Sequence, residues 1–130
     1  MASKKVVWIA RVVSLLVSLV FVFSAVMKLI GGPEVSQGMA HLGLADRMVL
    51  PLAILELACV VIYLIPPTAV FGAILLTGYL GGAIYVHVRA GSPLFSHTLF
   101  GVYLGLLIWG GLYLRDGMLR ALIPLRQSAD

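Results

Sequence analysis

The sequence has very little charge and almost no cysteine. Only 11% of its 130 residues are Asp, Glu, Lys or Arg, whereas soluble globular domains contain about 25%. Because Cys59 is the single cysteine, one chain cannot form a CxxC redox pair, an iron–sulfur cluster or a cysteine-rich zinc site. Low charge combined with high hydrophobicity also excludes intrinsic disorder, which requires the opposite composition.

The motifs by which soluble enzymes bind nucleotides and substrates are missing as well. The chain contains no Walker loop, dinucleotide-binding GxGxxG, HExxH metal motif or GxSxG nucleophile elbow. The net charge of +4 does not indicate nucleic acid, because the nine Lys and Arg residues are scattered and mostly flank apolar runs. We therefore expect no nucleic-acid partner and no soluble catalytic domain.

Apolar residues are what the sequence has in abundance. They make up 62% of the chain, and the mean hydropathy is +1.10. One small core cannot bury so much apolar surface, so the chain belongs in a lipid bilayer. The composition predicts a single all-α domain, a bundle of four transmembrane helices with antiparallel neighbours. The predicted spans are residues 6–30, 48–65, 68–88 and 97–114, compared with the roughly 20 residues that cross a membrane's apolar core.

Two further segments are predicted outside the spans. Residues 31–47 form an outer loop with a short amphipathic helix, and residues 115–130 form an interfacial tail. Lys and Arg are more frequent on the side of the termini, with six (Lys4, Lys5, Arg11, Arg115, Arg120, Arg126) against three (Lys28, Arg47, Arg89). This excess predicts that both termini are cytoplasmic in a cytoplasmic (inner) membrane.

Ionisable residues inside the spans are the candidates for a functional site. Glu56 lies about 12 Å below the outer boundary, at a rise of about 1.5 Å per residue. A carboxylate there costs at least about 2.5–3.5 kcal/mol and needs a partner. We expect Lys28, near the outer end of the first span, to be that partner. Antiparallel helices bring further polar side chains to the same outer half of the bundle, namely Tyr79, His87, Arg89 and His97.

The spacing of small and polar residues places these two charges on inward-facing stripes. On the first helix the stripe is Ser14, Ser18, Phe21, Ala25 and Lys28. On the second helix it is Leu52, Glu56, Cys59 and Tyr63. Residues three or four apart share one face of a helix, so each charge is predicted to face the interior of the bundle.

The residues leave several interpretations of this polar cluster open. In one, Lys28 and Glu56 form a buried ion pair that fixes the helix register, with His87 and Arg89 at the head-group level. In another, the cluster binds a ligand head group or relays a proton. Haem bound by His87 and His97 is a third, although nothing in their spacing requires it. No metal site and no catalytic residue is predicted.

Glycines at helical spacing predict close packing of the third and fourth spans. The pairs are Gly78 with Gly82 and Gly101 with Gly105. Small residues at this spacing let helix backbones approach in lipid, where no hydrophobic effect drives them together. The pattern indicates a tight bundle or a homo-oligomer, and it says nothing about chemistry.

Six segments, taken in order, resemble those of a known family. They are residues 23–31 (FSAVMKLIG), 55–57 (LEL), 64–69 (LIPPTA), 72–84 (GAILLTGYLGGAI), 87–91 (HVRAG) and 109–116 (WGGLYLRD). Together they resemble the DoxX-like family of small four-span membrane proteins over nearly the whole chain. The resemblance implies a four-helix membrane bundle with Lys28 and Glu56 as signature positions. Relatives include the small subunit of a thiosulfate:quinone oxidoreductase, membrane partners of redox proteins, and assembly factors.

Three functions are consistent with these observations. The first is a membrane subunit or accessory of a quinone-linked redox system, in which Glu56 or His87 exchanges protons and Tyr79 or Lys28 donates to a quinone carbonyl. The second is a non-enzymatic scaffold or assembly factor for a membrane or peripheral protein. The third is a small proton-coupled transporter or channel that uses Glu56 after dimerisation. Thiol oxidation is not expected, since no CxxC is present.

Overall fold

Six α-helices account for most of residues 3–126, the part of the chain that the computed structural model describes. They are α1 (Lys4–Ile30), α2 (Pro33–His41), α3 (Val49–Leu64), α4 (Ala69–Ala90), α5 (Phe100–Arg115) and α6 (Gly117–Leu122). Short 3₁₀ turns precede α3 (Asp46–Met48) and α4 (Pro66–Thr68), and a π-helical turn (Leu94–Thr98) precedes α5. Within the same residues no strand occurs.

Four helical stretches in this part of the chain are long and apolar enough to cross a membrane. They are Lys4–Ile30, Asp46–Leu64, Pro66–Ala90 and Leu94–Arg115. Large apolar side chains are exposed along all four, as contact with lipid requires. The prediction of an all-α bundle of four membrane-spanning helices is therefore confirmed, and the chain is an integral membrane protein. The cytoplasmic position of the termini and the identity of the membrane stay predictions.

The four long helices form a square in cross-section. α1 contacts α3 and α5, and α4 contacts the same two helices, so α1 and α4 lie on a diagonal. Consecutive long helices run antiparallel, as the contacts of Lys28 with Glu56 and of Ser14 with Tyr63 show for α1 and α3. We call the end that carries α2 the α2 end, and the end that carries α6 the α6 end.

The interior of the bundle is built from the stripes that the sequence predicts. On α1 the buried residues are Ala10, Ser14, Val17, Ser18, Phe21 and Ala25. On α3 they are Ala53, Glu56, Cys59, Val60 and Tyr63. The spacing of three and four residues therefore identified the inward faces correctly, since a helix that packs on two neighbours buries one continuous face.

Glycines with positive φ end the two longest helices. Gly31 follows α1 with a φ of 74°, and its N–H donates to the Met27 carbonyl. Gly91 follows α4 in the left-handed conformation with a φ of 73°, which a residue without a Cβ adopts readily. Each cap ends its helix, and the chain then leaves the axis of that span.

The helices approach most closely towards the α6 end. A Cβ on Gly72 of α4 would overlap the backbone of Tyr63 on α3, and one on Gly111 of α5 would lie 2.5 Å from Ser14 Oγ on α1. The side chain of Tyr63 is 1% exposed, and its hydroxyl hydrogen-bonds with Ser14 Oγ and the Ile108 carbonyl, both at 2.9 Å. One tyrosine thus joins α1, α3 and α5 where the bundle is tightest.

Two short helices lie in the segments that connect or follow the spans. α2 occupies part of the predicted outer loop, residues 31–47. α6 lies in the predicted tail and begins at Asp116, whose Oδ1 accepts from the N–H groups of Met118 and Leu119 at 3.0 and 3.2 Å. The end of that predicted tail, residues 127–130, lies outside the described residues.

Candidate functional site

A buried ion pair joins α1 and α3 in the half of the bundle nearer the α2 end. Lys28 Nζ donates to Glu56 Oε2 at 2.9 Å, and Glu56 is 2% exposed. Ser24 accepts from the same Nζ at 2.8 Å and donates to Oε2 at 3.5 Å. The Tyr79 hydroxyl, from α4, donates to Oε2 at 3.3 Å. Three helices therefore converge on one carboxylate oxygen.

This group retains hydrogen-bonding capacity for a ligand. An ammonium has three N–H donors, and Lys28 uses two of them, on Ser24 and Glu56. Glu56 Oε1 forms no hydrogen bond with any residue from 3 to 126. Across these residues Arg115 Nε is the one fully buried side-chain polar atom without a partner, so Oε1 is not fully enclosed. The pair offers one donor and one acceptor.

A cavity of about 510 Å³ borders the ion pair. Small-molecule sites typically occupy about 300–1,000 Å³ and combine an apolar wall with a few polar groups. All four long helices and the loop after α2 contribute to this wall, which is largely apolar. The polar side chains that line it are Ser24, Lys28, Glu56, Tyr79, His87, His97 and Thr98. Five of the six residues predicted to cluster therefore line one cavity.

The sixth, Arg89, does not line the cavity. It holds the segment that covers the cavity at the α2 end, which we call the cover. Met39 from α2, together with Leu42 and Leu44 from the following loop, lines the cavity at the α2 end. Arg89 Nη2 donates to the Leu42 carbonyl at 2.8 Å. Arg89 thus ties this covering loop to α4 and does not line the cavity.

Two histidines stand close together at the cavity wall. The ring centroids of His87 and His97 are 6.0 Å apart, and the ring planes are inclined by 58°. Each Nδ1 pairs with a nearby serine hydroxyl, at 3.0 Å for Ser92 and at 2.7 Å for Ser96. His97 belongs to the π-helical turn Leu94–Thr98, and such turns are frequent at functional sites. The sequence predicted the proximity of these rings and not the π turn.

Gly78 and Gly82 also line this cavity, although the sequence predicts a helix contact there. A Cβ on either residue would meet nothing within 4 Å. Both residues are exposed on α4, so neither lies at a helix contact. The absence of side chains on Gly78 and Gly82 leaves open space beside α4.

Gly101 and Gly105 are located at the contact of α5 with α4. A Cβ on Gly101 would come within 2.8 Å of the Ile84 side chain, and one on Gly105 would lie 3.9 Å from Leu80. The closest glycine contacts, at Gly72 and Gly111, were missed by the sequence analysis. The contact at Gly111 had a signal in the sequence. Ala10, Ser14 and Ser18 are small residues at helical spacing on α1, the helix against which Gly111 packs.

Across residues 3–126, no group of three or more His, Cys, Asp or Glu side chains is placed to hold a metal ion. Cys59 is buried, with a free thiol. The side chains of Lys28, Glu56 and the two histidines at the cavity wall can form hydrogen bonds and exchange protons.

Comparison with known proteins identifies the family. The sequence model of the DoxX-like family matches residues 12–111. The chain belongs to the DoxX-like family. The matched range contains every residue that lines the cavity of this DoxX-like protein, from Val20 to Leu104. No curated protein and no solved structure matches the chain.

Proposed function

We propose that this DoxX-like protein is a membrane subunit of a quinone-linked redox system and that its cavity binds the quinone head group. The supporting observation is the Lys28–Glu56 pair at the wall of an otherwise apolar cavity of about 510 Å³ inside the membrane-spanning region. Ionisable residues at such positions are costly, and they commonly mark ligand or proton pathways.

The hydrogen-bonding capacity of the ion pair fits both forms of such a ligand. A quinone takes up two electrons and two protons to become a hydroquinone. The remaining donor of Lys28 suits a carbonyl oxygen, and Glu56 Oε1 suits the hydroxyl of the reduced form. Tyr79 donates to Oε2 and so holds the carboxylate in place while Oε1 faces the ligand. A redox protein partner would exchange the electrons.

The histidines fit a role in proton transfer. Glu56 would accept a proton from a bound hydroquinone or supply one to a quinone. His87 and His97 line the same cavity at the α2 end, and imidazoles gain and lose protons near neutral pH. They would pass protons between the cavity and the aqueous phase at that end.

The gap beside α4 supports entry of a ligand from the lipid. Gly78 and Gly82 are exposed, and both line the cavity. A membrane-dissolved molecule would reach the ion pair through this gap, and its apolar tail would remain between α3 and α4 or in lipid. A water-soluble ligand would instead have to displace the α2 cover.

The test is a binding titration on protein purified in mild detergent, with a short-tailed benzoquinone as the ligand. Gly82→Leu places a side chain in the gap, and we expect loss of binding with unchanged thermal stability. Gly81→Leu is the matched control, because Gly81 is exposed, has open space around it and does not line the cavity. Glu56→Gln removes the charged acceptor for a hydroquinone hydroxyl, so in a parallel titration with the reduced ligand it is expected to weaken binding about tenfold, given roughly 1.5–3 kcal/mol for a hydrogen bond to a charged group.

Several outcomes would contradict the proposal. Wild-type protein that binds no benzoquinone, either alone or with proteins that co-purify with it, would do so. Equal binding by wild type and Gly82→Leu would place the ligand outside this cavity. A Soret band in the purified protein would instead support haem at His87 and His97. The scaffold and transporter hypotheses, a redox partner protein and a homo-oligomer stay predictions.

A further inference from the structure

A second groove, of about 860 Å³, lies at the α6 end of the bundle, away from the quinone cavity. α1, the α3–α4 connection and the start of α6 surround it. Two arginines line this groove, Arg11 from α1 and Arg115 from the last turn of α5. Asp116 is the acidic side chain in the same lining.

Neither arginine has an acceptor among the described residues. The guanidinium of Arg115 forms no hydrogen bond with residues 3–126. Its Nε is fully buried, whereas its two terminal nitrogens are not, so a ligand in the groove can reach those two nitrogens. The one ion pair found in residues 3–126 joins Lys28 to Glu56, so neither guanidinium pairs with a carboxylate there. Asp116 instead uses Oδ1 to cap α6.

Two other arginines hydrogen-bond to the protein itself. Arg89 donates to the Leu42 carbonyl and Arg120 to the Tyr113 carbonyl. The terminal nitrogens of Arg115 and the exposed guanidinium of Arg11 therefore line the groove without an acceptor from the described residues.

The chemistry of the groove selects the acceptor. Guanidinium groups bind phosphate through parallel N–H donors with good geometry. The remaining wall is mainly apolar, and two of its side chains, Leu15 and Leu64, are also exposed on the outside of the bundle. An ion alone would leave this apolar wall uncovered, whereas an acyl chain attached to a phosphate would lie along it.

We propose that Arg11 and Arg115 form a binding site for the phosphate of an anionic phospholipid, whose acyl chain packs along Leu15 and Leu64. The position agrees with the excess of Lys and Arg on this side of the membrane, because the anionic cytoplasmic leaflet attracts such residues. The inference does not depend on the quinone proposal, since the two sites use different residues at opposite ends of the bundle.

Native mass spectrometry of the detergent-purified chain tests the site. Phosphatidylglycerol and phosphatidylcholine with identical acyl chains are titrated against wild type, Arg11→Gln, Arg115→Gln and Lys5→Gln. Lys5 is exposed near the start of α1 and does not line the groove, so its substitution makes the same change in net charge elsewhere. Inorganic phosphate is added in a separate competition.

We expect preferential retention of phosphatidylglycerol and a loss of affinity of about fivefold for each arginine substitution, from roughly 1 kcal/mol per basic residue. Lys5→Gln should bind like wild type. Equal retention of the two lipids, or equal losses in all three variants, would overturn the proposal. Displacement of the lipid by inorganic phosphate would assign the groove to a free anion and overturn the lipid assignment. Because Arg11 is exposed, its variant serves as the test if Arg115→Gln fails to fold.

Discussion

Replacing Lys28 by methionine removes the charged partner of Glu56 and keeps a side chain of similar length. The carboxylate is 2% exposed and lies 2.9 Å from the ammonium, whose side chain is 14% exposed. Loss of one partner from a buried ion pair costs about 3–5 kcal/mol. The hydroxyls of Ser24 and Tyr79 can still donate to Oε2. We therefore expect Lys28→Met to lower the free energy of unfolding by about 3 kcal/mol, the lower end of that range.

A double-mutant cycle separates the ion pair from other effects of the substitution. Adding Glu56→Gln removes the second charge, so the doubly substituted protein should regain most of the lost stability, with a coupling energy of at least about 2 kcal/mol. Unfolding is followed by far-UV circular dichroism in detergent micelles titrated with denaturing detergent. Lys5→Met, at an exposed position, is the control and should change stability by less than about 0.5 kcal/mol.

Two results would refute this reasoning. A cost below about 1 kcal/mol for Lys28→Met would mean that Glu56 does not depend on a charged partner. Simple addition of the two substitution energies would mean that the residues are neighbours without energetic coupling. Either result would also weaken the quinone proposal, which requires the ammonium and the carboxylate to act together.

Three further substitutions test the packing and the cover of the cavity. Gly72→Ala forces a Cβ into the backbone of α3 and should lower the free energy of unfolding, measured by thermal unfolding, by about 1–3 kcal/mol. Gly81→Ala, in open space, should not destabilise the protein. Equal effects of the two substitutions would contradict the tight contact at Gly72. Tyr63→Phe removes the hydroxyl that joins three helices and should lower the free energy of unfolding by about 1–3 kcal/mol. Tyr85→Phe, at an exposed position, should leave stability unchanged. Similar melting curves for the two variants would count against the role of the Tyr63 hydroxyl in joining the helices. Arg89→Ala releases the loop after α2, so we expect faster hydrogen exchange of the α2 amides at an unchanged melting temperature. Unchanged exchange would show that another contact holds the cover.

Much of the architecture could be predicted from the sequence because the bilayer imposes strict conditions. A chain with 62% apolar residues and 11% charged residues must satisfy its backbone hydrogen bonds inside lipid, and helices do so within each segment. The stripes on α1 and α3 followed from helical periodicity alone. The partnership of Lys28 with Glu56 followed from antiparallel order and the cost of an unpaired charge in lipid. The sequence by itself thus determined that the protein spans a membrane, which segments are helical and which face of α1 and α3 points inward.

Distances between helices were decided only by the tertiary structure. Periodicity assigns a residue to a face of its helix, but it contains no information on how far the neighbouring helix stands from that face. Gly101 and Gly105 lie one turn apart on α5, yet a Cβ on Gly101 would come within 2.8 Å of Ile84, whereas one on Gly105 would lie 3.9 Å from Leu80. The same limit applies to Arg89, since a long side chain reaches whichever acceptor the assembled bundle brings near, here the Leu42 carbonyl. The cavity is lined by residues of all four long helices and of the loop after α2, so it is a property of the packed bundle and of no single segment.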